Sequence, residues 1–74
     1  MYIVRENIMT VCYKKLWKLL IDKDMKKKDL AEVANISNYT IRKLVKGDNV
    51  TMDVLVRICK ALDCTMNDIV DIIP

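Results

Sequence analysis

A chain of 74 residues has room for one small domain, and at 53% hydrophobic it carries enough apolar side chains to close a core. That content excludes a disordered chain, and no window of about 18 residues is apolar and free of charge, as a membrane-spanning helix needs. Histidine is absent, and no phosphate loop, nucleophile constellation or pair of catalytic acids stands in for it. An enzyme is therefore not expected, nor a metal or a cofactor. One Gly and one Pro in the whole sequence favour helices over sheets joined by tight turns.

Three cysteines, Cys12, Cys59 and Cys64, are an odd number without framework spacing, and the first nine residues hold Arg5, Glu6 and Asn7 where a secretory leader has an apolar run. Both features point to a reducing, cytoplasmic setting. The net charge of +3 is unevenly spread. Residues 1–46 carry eleven Lys or Arg against five acids, a net +6, whereas residues 47–74 carry two against five, a net −3. A domain basic in front and acidic behind suits an oriented polyanion partner, although an unevenly charged solvated surface gives the same count.

Residues 1–12 (MYIVRENIMTVC) have β-rich pieces around a polar middle and lack helical periodicity, so they read as an extended or β arm that pairs with something, a partner subunit included. Met9 is a second candidate start. Tyr13, Leu16, Trp17, Leu20 and Ile21 then fall on one stripe of a first helix, with Met25 plugging the core at the following turn. A second helix spans residues 27–34 with Leu30, Ala31 and Ala34 inward. Asn35 can take the left-handed turn, and Ser37 is a natural N-cap for a third helix over residues 38–46. There Ile41, Leu44 and Val45 are expected inside, and Gly47 stops the helix. Thr51 caps a fourth helix whose stripe is Val54, Leu55, Ile58, Cys59 and Leu62, with Asp63 in the place of a terminating Gly. Thr65 with Asp68 resembles a capping box that opens a fifth short helix holding Met66, Ile69, Val70 and Ile73.

The most specific signal is KKDLAEVANISNYTIRKLVK, residues 27–46. A helix with a small residue at its fifth place (Ala31) turns at the ninth (Asn35), and a second helix follows with β-branched Ile41 at the fifteenth. Ala31 allows close approach and Ile41 holds the two helices at a fixed angle: a helix-turn-helix. Together with LWKLL before it and LVRICKALDCTMNDIV after it, the pattern resembles the Xre/Cro family of phage-repressor-like helix-turn-helix transcriptional regulators over roughly residues 13–72. Asn35 stands where the family often has Gly, and Lys27 where a Gln often opens the second helix. The resemblance implies an all-α, compact five-helix repressor-like DNA-binding domain (residues 13–74) behind the arm (residues 1–12). It also implies a homodimer that places its third helix in the major groove.

On that third helix Asn38, Tyr39, Arg42 and Lys43 lie away from Ile41 and Leu44 and are the expected base readers. Asn can bond adenine and Arg can bond guanine, while Tyr39 suits a phosphate or a thymine methyl. Lys26, Lys27 and Lys28 oppose the helix macrodipole unless a phosphate sits there, and with Ser37, Thr40, Lys46, Asn49 and Thr51 they form the expected backbone-contacting set. Ile69, Val70, Ile72 and Ile73, with Tyr2, Ile3 and Val4 of the arm, are the expected dimer contacts. Cys59 and Cys64, five apart and out of phase for one helical face, read as small buried hydrophobes and not as a metal or redox sensor. The expected function is a DNA-binding regulator, a repressor acting as a homodimer on a two-fold-related double-stranded operator, with no membrane and no small-molecule domain. Its rival is a protein-interaction module of the same fold, an antitoxin or accessory subunit.

Overall fold

In the computed structural model, which describes residues 10–73, strand β1 (Thr10–Cys12) leads into four helices: α1 (Lys14–Asp22), α2 (Lys27–Ala34), α3 (Asn38–Lys46) and α4 (Met52–Leu62). A single 3-10 turn (Met66–Asp68) and strand β2 (Asp71–Ile73) close the chain. The helices start and stop where local chemistry directs. Ser37 Oγ accepts the Thr40 N–H at 3.1 Å to open α3, and Thr51 Oγ1 accepts the Val54 N–H at 3.3 Å to open α4. The Asp29 carboxylate accepts the Lys26 N–H at 2.9 Å ahead of α2. Asn35 and Gly47 take the expected left-handed conformations that end α2 and α3, at φ 55° and 79°, and Asp63 does the same after α4 at φ 52°.

The core is drawn from all four helices and the residues that flank them. Tyr13, Leu16 and Leu20 meet Leu30 and Ala34 of α2, Ile41 and Leu44 of α3, and Leu55, Ile58 and Leu62 of α4, and Ile69 closes the bottom. Leu16, Leu30, Leu44, Ile58 and Ile69 are fully buried. Truncating any one of them to Ala costs about 2–5 kcal/mol, a large share of the ~5–15 kcal/mol that holds a small domain folded. α4 packs chiefly along α2, so the acidic rear of the molecule braces the helix-turn-helix.

Three expectations need correction, and one is met within the chain itself. The fifth helix does not form: after the 3-10 turn, β2 pairs antiparallel with β1 in the register Thr10↔Ile73, Val11↔Ile72 and Cys12↔Asp71. A segment as β-branched as Ile69–Val70–Asp71–Ile72–Ile73 loses side-chain freedom in a helix, and β1 offers it a ladder instead. The strand expected at the end of the arm is present over Thr10–Cys12, and its partner is the C-terminus of the same chain. Ile21 is 76% exposed, because it lies 100° on from Leu20 at the edge of the stripe, in the last turn of α1. Val45, set against Leu44 by the same angle, is 54% exposed. Among the described residues no helix is long and apolar enough to cross a membrane, and no three His, Cys, Asp or Glu side chains gather as metal ligands.

Candidate nucleic-acid interface

Burial of Ile41 and Leu44 fixes the roll of α3 and turns Asn38, Tyr39, Arg42 and Lys46 outward. Asn38 and Arg42 stand one helical turn apart on the exposed side. Arg42 has no hydrogen bond or ion pair with another described residue, so its guanidinium fork is uncommitted. Lys43 is half-buried, its Nζ held 5.9 Å from the centre of the Tyr39 ring, which is 64% exposed. The four expected base readers therefore form two groups: a free Asn–Arg pair and a mutually engaged Tyr–Lys pair.

The expected phosphate ligands divide in a similar way. A shallow groove between α2 and the start of α3 is lined by Lys28, Ala31, Glu32, Ile36, Ser37 and Asn38, which brings a cation of the basic run beside the first of the expected base readers. Glu32 is the acid in that groove. Ser37 Oγ and Thr40 Oγ1 are 3.0 Å apart, so one hydroxyl donates to the other and a single O–H between them is left to give to a phosphate. Thr51 spends an oxygen lone pair on its cap and keeps its own proton. Lys26 and Lys28 are exposed, and Lys27 Nζ lies 5.0 Å from the Trp17 ring centre. Trp17 thus seats one of the three cations that α2 opens with. Lys46 stands 3.8 Å from Asp48, and Asn49 is exposed beside Thr51.

Two long-range hydrogen bonds, neither anticipated from the sequence, grip α3 at its ends. Arg57 of α4 donates through Nη1 to the Asn35 carbonyl at 3.0 Å, in the turn that precedes α3, and through Nε to Asp53 at 2.9 Å. The Tyr13 hydroxyl donates to the Asp48 carbonyl at 2.9 Å, just past the end of α3. Burial, with the neighbouring Asp48 carboxylate adding to it, pushes the Tyr13 phenol above its ordinary value of 10.0, while a backbone hydrogen bond from Val50 pulls the other way. The partners are 22 and 35 residues apart in sequence, a separation that no local pattern reveals.

The expected dimer residues do not share one surface. Ile69 is wholly buried in the core, so it is removed from that set: the 3-10 turn swings it inward where a helix was expected to present it. Val70 is half-buried against the same core. Ile72 and Ile73 of β2 are exposed, at 61% and 45%. Tyr2, Ile3 and Val4 lie outside the described residues.

Residues 15–74 match the family model of the Cro/C1-type HTH DNA-binding domain. Among solved structures, the crystal structure of the transcriptional regulator VanUg, Form II, is similar at 44% identity and a TM-score of 0.88, covering 100% of this chain and 99% of that one. No curated protein matches.

Proposed function

Since the chain belongs to the Cro/C1-type helix-turn-helix DNA-binding family, we propose that it is a sequence-specific regulator of transcription. In this reading it is a repressor that binds a two-fold-related duplex operator as a homodimer, with α3 in the major groove. The observation that carries the reading is the outward face of α3, where Asn38 and an uncommitted Arg42 stand a turn apart on a helix fixed at both ends. Asn bonding adenine and Arg bonding guanine each supply about 1–3 kcal/mol of discrimination. Lys28, with the spare hydroxyl proton of Ser37 and Thr40, flanks them toward the phosphates of one strand, and Lys26 and Lys27 extend the cationic edge. Occupancy of an operator is enough to repress, and the three free thiols suit a cytoplasmic protein. Of the expected dimer contacts that the structure describes, Ile72 and Ile73 are the exposed pair and supply the contact about a two-fold axis, with recognition helices roughly 34 Å apart.

Selection of binding sites from a randomised duplex pool, followed by a salt titration on the enriched duplex, tests this. A palindromic site is expected, with log affinity falling against log salt by about 0.9 for each phosphate neutralised. The double substitution Asn38→Ala, Arg42→Ala is expected to keep the circular dichroism of the folded chain and lose the preference for that site by roughly 10-fold or more. A chain that binds no duplex at all sinks the proposal and favours the protein-interaction module.

A further inference from the structure

The end of α4 brings together two residues that helical phase keeps apart. Cys59 and Cys64 are five positions apart, but the chain turns left-handed at Asp63 and the Cys64 N–H reaches back to the Cys59 carbonyl at 3.0 Å. This is the six-to-one closure of a Schellman motif, in which the two bonded residues commonly touch through their side chains. With bond lengths fixed, that hydrogen bond caps the Cα separation at about 7 Å, against the roughly 4.4–6.8 Å that disulfides use. Both thiols are half-buried and open on one surface groove, which Val56, Lys60, Asp63 and Met66 also line. The third cysteine, Cys12, is placed elsewhere, on β1 opposite Asp71.

We propose that Cys59 and Cys64 form a dithiol modification site that closes to an intramolecular disulfide by exchange with a small disulfide of the glutathione type. Burial first, and then the neighbouring Cys59 thiol, push the Cys64 thiol up to about 11, which makes Cys64 the poorer first nucleophile. Cys59 therefore attacks the incoming disulfide as its thiolate, forming a mixed disulfide and expelling one small thiolate, which takes up the proton that Cys59 gave up. Cys64 then loses its proton and attacks the Cys59 sulfur, expelling the second small thiolate, which is protonated in turn. Two protein thiols are oxidised to one disulfide, and one small disulfide is reduced to two thiols. The product ties the last turn of α4 to the segment that leads into the 3-10 turn, and an excess of small thiol reverses it.

The test treats the full chain under native conditions with oxidised glutathione, alkylates the remaining thiols, digests with trypsin and reads the masses. Cleavage after Lys60 separates the two cysteines, so the expected product is residues 58–60 joined to residues 61–74, about 2 Da lighter than the two free peptides, with Cys12 alkylated. Cys64→Ser is expected to hold glutathione at Cys59 as a stable adduct, whereas Cys12→Ser leaves the joined product unchanged. A lasting glutathione adduct on either cysteine of the unsubstituted chain, a disulfide through Cys12, or no reaction at either site overturns the proposal.

Discussion

Arg57→Met removes the grip of α4 on the turn of the helix-turn-helix and keeps most of the side-chain stem. The lost ion pair with Asp53 is worth little, because the two side chains are 44% and 70% exposed; a few tenths of a kcal/mol is the usual scale. The hydrogen bond to the Asn35 carbonyl contributes about 1 kcal/mol, and water can solvate the freed carbonyl because Asn35 is exposed. The expected loss is therefore about 1–1.5 kcal/mol, a fall in Tm of roughly 5–10 °C for a domain of this size, read by circular dichroism. If the turn loosens by the full amount, DNA affinity falls by at most about fivefold to tenfold with no change in the preferred site.

Arg57→Lys separates this account from a simple charge effect. A lysine keeps the charge but has no rigid fork to serve Asn35 and Asp53 together, so it should lose most of the same stability. Should Lys restore full stability, or should Met weaken DNA binding while leaving Tm untouched, the clamp is refuted and Arg57 acts through its charge alone.

Gly47→Ala should cost about 1 kcal/mol in urea unfolding, because φ is 79° while an added Cβ would meet, among the described residues, nothing nearer than the Val11 carbonyl oxygen at 4.0 Å; the cost is conformational, not steric. Tyr13→Phe should lose about 1 kcal/mol near neutral pH by leaving the Asp48 carbonyl without its donor. Since the folded phenol titrates above the unfolded one, the contribution of Tyr13 is complete below about pH 10 and is lost as pH rises through the raised value. Urea midpoints of the parent should therefore fall on the alkaline side more than those of the Phe variant. Glu32→Gln removes the acid from the Lys28–Asn38 groove and should tighten DNA binding by up to about fivefold, most at low salt, in fluorescence anisotropy titrations.

The parts of the fold legible in the sequence are those set by neighbours within a turn or two. The ends of α2 and α3 could be read because Asn35, Ser37 and Gly47 each do their work locally, as a left-handed turn, an accepted N–H and a stop. The face of α3 was legible for the same reason, since Ile41 and Leu44 determine which way Asn38 and Arg42 point. The fifth helix misled because a capping pair is present and functions: the Asp68 carboxylate accepts both the N–H and the hydroxyl of Thr65, at 2.9 and 3.1 Å. A start signal does not prolong a helix, and the β-branched run beyond it is drawn into β2 by a strand about 60 residues earlier. Ile69 was misplaced with it. The bonds from Tyr13 and Arg57 were hidden for another reason: their acceptors are backbone carbonyls, which carry no sequence signal.

Those carbonyls become available through one recurring device. At Asp24, Asn35, Gly47 and Asp63 the backbone turns left-handed, and in each case the next residue donates its N–H five positions back: Met25 to Leu20, Ile36 to Ala31, Asp48 to Lys43 and Cys64 to Cys59. Such a turn ends the helix and leaves the carbonyls just past its last residue outside the helical ladder, free to accept from elsewhere. Around α3 two of them do: Arg57 takes that of Asn35 and Tyr13 takes that of Asp48. The residue pair that each closure brings together then differs in kind. Leu20 with Met25 fills core, Ala31 with Ile36 lines the groove between α2 and the start of α3, and Cys59 with Cys64 sets two thiols on one groove. A spacing of five, out of phase for any helical face, is the spacing at which a helix end makes its side-chain contact. The cysteine pair and the support of α3 are thus two results of the same backbone geometry, one at the rear of the domain and one at the surface proposed to meet DNA.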